Sequence, residues 1–186
     1  MSKPNSIFFS VVTVCRNDKD GLIQTRKSLN EQVCRDFEWI IVDGNSTDGS
    51  KEYLNQLEER ECQWESEPDS GLYDAMNKGL SKAKGQYVIF LNSGDTLSSP
   101  SILELVMRDT KINSSPSLVY GDAYEKTENS EKILKVARNK SWIWYGMFTH
   151  HQSMLYKRDA IGSIRYRLEY ELAADYAFTY EFIRAN

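Results

Sequence analysis

Polar segments that contain carboxylates follow the apolar runs in the first half of the chain. They span residues 15–18, 43–48, 67–71 and 92–95. Carboxylate and amide oxygens are hard ligands that suit Mg²⁺ or Mn²⁺ and, through such a cation, a diphosphate. Asp95, which follows the apolar run YVIFL, is placed to bind the cation. Any one of these segments has an ordinary explanation as a turn, since Asp favours turns; together they favour a binding site.

Two common phosphate-binding motifs are missing from the sequence. There is no GxxxxGK[ST] and no GxGxxG, and no glycine follows the first apolar run before Gly21. P-loop NTPases and dinucleotide-dependent oxidoreductases are therefore disfavoured. The net charge of −4 also argues against a nucleic-acid partner, because such a surface must neutralise phosphates with Lys and Arg.

The periodicity of apolar residues predicts alternating strands and helices. The predicted strands are residues 7–14, 38–42, 62–66, 87–91, 118–120 and 133–136, and the predicted helices are 21–32, 51–60, 72–83, 102–107 and 175–186. Asp18 or Asp20 is expected to cap the first helix. This alternation predicts an α/β fold with a mostly parallel sheet and helices on both faces. Ligands of such sheets bind outside the carboxyl ends of the strands, which is where the polar segments lie.

The length of 186 residues suits one domain. We expect a donor half over about 1–97 and an acceptor half over about 98–186, with a segment missing after the last predicted helix. The three cysteines fit neither a zinc site nor a disulfide framework, and no run approaches the length of a membrane helix. These features indicate a cytoplasmic location.

Several motifs occur in a fixed order along the chain. They are SVVTVCRND, FEWIIVDGNSTDGS, EPDSGLYDAMNKGLSKAKGQYVIFLNSGD, HHQSMLYKRD and ELAADYAF. In their order and spacing they resemble the family-2 inverting glycosyltransferases of GT-A fold, in particular bacterial enzymes of exopolysaccharide, O-antigen and colanic-acid biosynthesis. The resemblance implies a Rossmann-like, mostly parallel sheet flanked by helices, with a mixed acceptor-side portion.

The resemblance assigns donor-side roles to residues in the first half of the chain. The residues that it implies in donor binding are Thr13, Asn17, Asp43, Asp69, Gly71, Asn77 and Asn92. It implies that Asp95 is the metal ligand, with Mn²⁺ or Mg²⁺ as the cofactor. The chain departs from the family pattern at three places: Gly44 replaces an acid that often contacts uracil, Met76 replaces an Arg, and Asn92 replaces the first acid of a D-x-D-D signature.

On the acceptor side, the resemblance implies that Asp175 is the general base and that His151 lies in the acceptor loop. The alternative for Asp175 is a helix N-cap, and the alternative for His151 is a satisfied core residue. An aromatic cluster that contains Trp142, Trp144 and Tyr145 is a candidate to stack on an acceptor sugar, or alternatively a core or lipid-facing group.

The implied reaction is inverting transfer of a hexosyl or N-acetylhexosaminyl group from a UDP-sugar to a hydroxyl of a saccharide acceptor. The expected acceptor is lipid-linked, which implies peripheral contact with the inner face of the cell membrane. Two alternatives remain open. A nucleotidyltransferase usually has a Gly-rich basic loop where this chain has CRND, and a non-catalytic nucleotide-sugar-binding module would tolerate the three departures.

Overall fold

The computed structural model describes residues 7–127, 129 and 131–186; residues 1–6 of the expected donor half lie outside it. The strands are β1 Phe9–Cys15, β2 Phe37–Asp43, β3 Gln63–Ser66, β4 Tyr87–Phe90, β5 Leu118–Tyr120, β6 Ala123–Lys126, β7 Lys132–Lys135 and β8 Met154–Lys157. The helices are α1 Lys19–Asn30, α2 Ser50–Leu54, α3 Leu72–Lys82, α4 Ile102–Arg108, α5 Arg158–Ile161 and α6 Ala174–Ala185. Short 3₁₀ turns cover Thr110–Ser114, Lys140–Tyr145 and His151–Ser153.

The central sheet has six strands in the order β3-β2-β1-β4-β8-β5. The first four strands are parallel to their neighbours, whereas β8 runs antiparallel to both β4 and β5. β6 and β7 form a separate antiparallel ribbon. The predicted fold class, a mostly parallel α/β sheet with a mixed second half, is confirmed.

Two apolar cores cover the two faces of the sheet, because alternate residues of each strand point to opposite sides. On β1, Val12 and Val14 pack with residues of α3 and α6, whereas Phe9 and Val11 pack with residues of α1, α2 and α4. Gly79 lets α3 approach the sheet closely, since a Cβ there would lie 2.4 Å from Cγ1 of Val12.

The sequence correctly predicted the first helix and its capping residue. Asp18 is its N-cap, as one of the two expected residues, and its side chain accepts a hydrogen bond from the Gly21 amide at 3.0 Å. The second predicted helix, 51–60, is wrong in length, because α2 ends at Leu54. Beyond that residue the amides of Gln56 and Leu57 bond to carbonyls three residues back, which is turn geometry.

The sequence also missed the four-residue strands β6 and β8. β6 pairs with β7 in a hairpin, whereas β8 pairs with the distant strands β4 and β5. The predicted strand 133–136 is present as β7, shifted by one residue. Among the helices of the described residues, none is long and apolar enough to span a bilayer.

Candidate active site

The four polar segments come together at the carboxyl ends of β1 to β4, and hydrogen bonds join them. The Gly44 amide donates to the Cys15 carbonyl at 2.8 Å, and the Asn17 amide donates to the Ser46 hydroxyl at 2.7 Å. The Ser93 hydroxyl donates to the Asp18 carboxylate at 2.6 Å. The edge is therefore one connected polar surface.

Asp43 is fully buried at this edge, and neighbouring groups already occupy its oxygens. Its carboxylate accepts hydrogen bonds from the amide and hydroxyl of Ser46 and, at 2.6 Å, from the hydroxyl of Ser66. The expected contact of Asp43 with the donor stays a prediction. Asp43 holds the turn after β2 against the end of β3.

Thr13 and Asn77 are also committed to internal bonds. The Thr13 hydroxyl is fully buried, donates to the Leu91 carbonyl at 2.7 Å and accepts from the Trp39 indole at 2.9 Å. The Asn77 amide bonds to both the carbonyl and the amide of Tyr166, each at 2.9 Å. These bonds fix the strands and loops behind the edge, and the donor-binding roles of the two residues stay predictions.

Asn17, Asp69 and Gly71 do line the edge. Asn17 is exposed, has a φ of 52° and accepts a hydrogen bond from the Thr47 amide at 2.8 Å. Oδ1 of Asp69 accepts from the Gly71 amide at 3.0 Å, while its Oδ2 faces Gly44. Gly71 has a φ of 114° and open space where a side chain would project, so a ligand can approach its backbone.

The turn after β4, together with the nearby His151, contains buried polar atoms that lack hydrogen-bond partners among the described residues. Burial raises the pKa of Asp95, against the opposing effects of the Gln152 side chain and the His151 charge. The Thr25 hydroxyl fixes the turn by donating to the Asp95 carbonyl at 2.8 Å. Oδ1 of Asn92 and Nε2 of His151 are buried and have no hydrogen-bond partner among the described residues. Sequence reasoning did not single out Gln152, although it lies in the motif HHQSMLYKRD beside His151.

These groups fit a divalent cation that is held mainly by a bound diphosphate. No three His, Cys, Asp or Glu side chains of the described residues form a ready cation cage. Mg²⁺ sites often use one or two carboxylates and complete the shell with phosphate and water. The Asp95 carboxylate meets that requirement, and the free atoms of Asn92 and His151 offer further ligands.

Asp175 faces the same region from α6. It lies in the first turn, its side chain is 25 % exposed, and its Oδ2 is 3.7 Å from Nδ1 of His151. The N-cap alternative is wrong, because the capping position is Ala173. Burial lowers the pKa of His151, while the charges of Asp175 and Asp95 raise it. His151 is thus within the field of both acids, with one free nitrogen, unlike a satisfied core histidine.

An open recess of about 520 Å³ adjoins Asp175. Its lining is Trp144, Tyr145, Gly146, Met147, Leu172, Ala173, Asp175 and Tyr176. Trp142 is not part of it; its ring lies 5.0 Å from the Arg138 guanidinium carbon. Of the predicted aromatic cluster, Trp144 and Tyr145, rather than Trp142, therefore lie beside the acid.

Tyr73 of α3 lies near this acid, and the sequence did not single it out. Burial, and after it the charge of Asp175, raises the pKa of the Tyr73 hydroxyl. Its ring stacks on Tyr166 with centroids 5.5 Å apart.

Comparisons with known proteins agree with this architecture. A family model described as Glycosyl transferase family 2 matches residues 10–165. A PGL/p-HBAD biosynthesis glycosyltransferase of Mycobacterium tuberculosis is 31 % identical over 185 residues, which covers 91 % of this chain and 67 % of that protein. The chain thus spans about two thirds of the length of such relatives, 66–67 %.

Solved structures share the fold at low identity. TarS of S. aureus, residues 1–349 with UDP, superimposes with a TM-score of 0.72 at 18 % identity, covering 96 % of this chain and 55 % of that one. Mannosyltransferase PcManGT of Pyrobaculum calidifontis, with GDP-Man and Mn²⁺, gives 0.65 at 15 % identity and covers 94 % and 51 %. Because the family model matches most of the chain and the sheet superimposes on these structures, this chain belongs to glycosyltransferase family 2 and has the GT-A fold.

Proposed function

We propose that this chain transfers a hexosyl or N-acetylhexosaminyl group from a UDP-sugar to a hydroxyl of a saccharide, with inversion at the anomeric carbon. The observation that carries this proposal is the position of Asp175. It lines an open recess, and its Oδ2 lies 3.7 Å from Nδ1 of His151, which precedes the strand beside β4. An acid at an acceptor cavity, opposite a diphosphate site, is the arrangement that inverting transfer needs.

The reaction assigns one task to each side. A hydroxyl in the recess gives its proton to Asp175 as its oxygen bonds to the anomeric carbon. The bond from that carbon to the diphosphate breaks on the opposite face, and UDP leaves with the electron pair. A bound Mg²⁺ or Mn²⁺, held through Asp95, would neutralise charge on the leaving diphosphate. Proton transfer and positioned charges supply the rate enhancement.

The choice of donor is supported by a neighbour of the same fold, since TarS is known in complexes with UDP and with UDP-GlcNAc. PcManGT instead carries GDP-Man and Mn²⁺, so guanine is the competing base. For the acceptor, the M. tuberculosis relative is named for PGL/p-HBAD biosynthesis. We propose a lipid-linked acceptor in cell-surface glycan biosynthesis, at the inner membrane face. Residues 1–97 would hold the donor and 98–186 the acceptor.

Replacing the base tests the mechanism. Asp175→Asn keeps the shape of the side chain but removes its basicity, so turnover should fall by about 10²–10⁴-fold. UDP affinity, measured by calorimetry, should stay within about twofold because the lost group acts mainly in the transition state. Glu181→Gln is the matched control on the same helix, where the acid pairs with Arg167. Near-normal turnover of Asp175→Asn would remove this residue from the mechanism.

The products separate the rival activities. Release of free UDP only when an acceptor is present supports transfer, whereas release of pyrophosphate indicates a nucleotidyltransferase. Binding of UDP-sugar with no turnover on any saccharide indicates a binding module. Chelation with EDTA should weaken UDP binding if Asp95 and the diphosphate share a cation. Unchanged affinity would contradict the metal assignment.

A further inference from the structure

The ribbon of β6 and β7 stands apart from the packed body of the protein. All four residues of β7 and three of the four residues of β6 are exposed. No residue of either strand belongs to the apolar cores that cover the two faces of the central sheet. A two-stranded ribbon is marginally stable by itself in water. The ribbon is therefore a candidate contact surface.

The two faces of the ribbon differ in chemistry, because side chains alternate along each strand. The register places on one face, which we call the basic face, Tyr124, Lys126, Lys132 and Leu134. The opposite face carries Ala123, Glu125, Ile133 and Lys135. The basic face thus combines two large apolar side chains with two positive charges, and neither strand places an acid on it.

The charges of the basic face are not balanced within the ribbon. Lys126 and Lys132 lie directly opposite each other, and like charges in that position are destabilising. Within the part of the chain that the structure describes, neither lysine forms an ion pair, whereas Lys135 on the opposite face pairs with Glu125 at 2.8 Å. Nζ of Lys132 lies 6.0 Å from the centre of the Tyr124 ring instead. An anionic partner would supply the missing counter-charge.

The apolar part of the basic face is also open to solvent. Tyr124 is 57 % exposed and Leu134 is 47 % exposed. Val136, which continues the same alternation after β7, is 67 % exposed. Lysine side chains can lie along apolar surface while their ammonium groups stay at a polar boundary. A surface with this mixture fits the boundary of a bilayer that has anionic headgroups.

We propose that the basic face of the ribbon docks on a membrane surface that contains anionic lipids. The inference rests on the proposed lipid-linked acceptor, which gives such a contact its purpose. The chain continues from the ribbon into the 3₁₀ turn Lys140–Tyr145, where Trp144 and Tyr145 line the recess beside Asp175. Docking through the ribbon keeps this recess close to the layer that holds the acceptor. A second copy of the chain fits the face less well, because a two-fold contact would bring the lysines of both copies together.

Vesicle co-sedimentation tests the docking. The protein should bind vesicles made of equal parts of phosphatidylcholine and phosphatidylglycerol, and it should not bind vesicles of phosphatidylcholine alone. Changing both Lys126 and Lys132 to alanine should lower vesicle affinity about 30-fold, since each lysine near an anionic surface contributes about fivefold. Added salt should weaken binding of the parent protein in the same direction, because it screens these charges.

Leu134→Ser and Ile133→Ser form a matched pair of variants. The two residues are neighbours, are 47 % and 45 % exposed, and point to opposite faces of the ribbon. Leu134→Ser should lower vesicle affinity about tenfold, because it removes apolar surface from the contact. Ile133→Ser removes a similar apolar area from the other face, so vesicle affinity should stay within about twofold.

Two results would overturn the inference: no binding to the phosphatidylglycerol vesicles, or equal losses in Leu134→Ser and Ile133→Ser. Self-association that Leu134→Ser abolishes, without vesicle binding, would also overturn it and would assign the face to a second copy.

A water-soluble saccharide acceptor tests the proposed function separately, and on it Leu134→Ser should release UDP at the parent rate. A parent protein that transfers sugar to this acceptor but does not bind vesicles would overturn the docking alone. A parent that binds vesicles through the basic face but transfers no sugar would contradict the proposed function alone.

Discussion

Asp43→Ala should destabilise the fold. From the sequence alone, a carboxylate at the end of a strand would be expected to face a ligand and to contribute little to stability. The buried carboxylate accepts three hydrogen bonds, two from Ser46 and one from Ser66. Bonds to charged groups contribute about 1.5–3 kcal/mol each. The simple sum overestimates the loss, because both serine hydroxyls can rotate and water can enter the gap. We expect about 2–4 kcal/mol of lost stability.

Thermal and urea unfolding followed by circular dichroism measure this loss. For a chain of this size, about 2–4 °C of Tm accompanies each kcal/mol, so Tm should fall by about 5–15 °C. Asp159→Ala is the control, since that carboxylate is exposed and pairs with its neighbour Arg158. It should change stability by less than about 0.5 kcal/mol.

A different result would favour the predicted donor-binding role of Asp43. If Asp43→Ala unfolds like the parent protein while its UDP affinity falls about tenfold or more, the carboxylate faces the ligand and the internal bonds are incidental. Asp43→Asn refines the comparison, because its NH₂ group would oppose the Ser46 amide. It should lie between the parent and the alanine variant in stability.

Three further outcomes follow from packing and burial. Gly79→Ala places a methyl 2.4 Å from a Val12 methyl, so unfolding free energy should fall by about 1–3 kcal/mol in denaturant titration. Burial and the nearby charge of Glu61 raise the pKa of the Cys62 thiol to about 11. At pH 8, iodoacetamide should therefore label the less buried Cys34 before Cys62, as measured by mass spectrometry. Equal labelling rates would contradict the burial of the Cys62 thiol. Trp144 lines the recess beside Asp175, so Trp144→Ala should raise KM for the acceptor and leave UDP affinity unchanged. A loss confined to UDP binding would exclude the recess as the acceptor site.

The sequence predicted the parallel half of the sheet well because its signals are local. Buried parallel strands appear as unbroken apolar runs, and an acid or amide just past each run marks the carboxyl edge. Which of those polar groups is free to bind a ligand is not a local property. Asp43, Thr13 and Asn77 are occupied by partners 3 to 89 positions away along the chain, and only the packed structure shows those bonds.

The same limit explains the aromatic residues. Trp142 and Trp144 lie two positions apart in a 3₁₀ turn and look alike in the sequence. The ring of Trp144 packs edge-on to Tyr180 of α6, with centroids 5.4 Å apart, which brings it to the recess beside Asp175. Trp142 instead contacts Arg138. The choice between them depends on how α6 packs, which no local pattern encodes.

The direction of β8 explains how a histidine from the second half of the chain reaches the donor edge. β8 is antiparallel to β4, and Leu155 pairs with Ile89 while Lys157 pairs with Tyr87. The start of β8 therefore lies at the carboxyl end of β4, so His151, just before it, is carried to the turn that contains Asp95. A parallel strand in this place would begin at the opposite end of β4 and take His151 away from the edge. The antiparallel strand thus brings the imidazole of His151 close to both Asp95 and Asp175, whose charges raise its pKa against the larger lowering effect of burial.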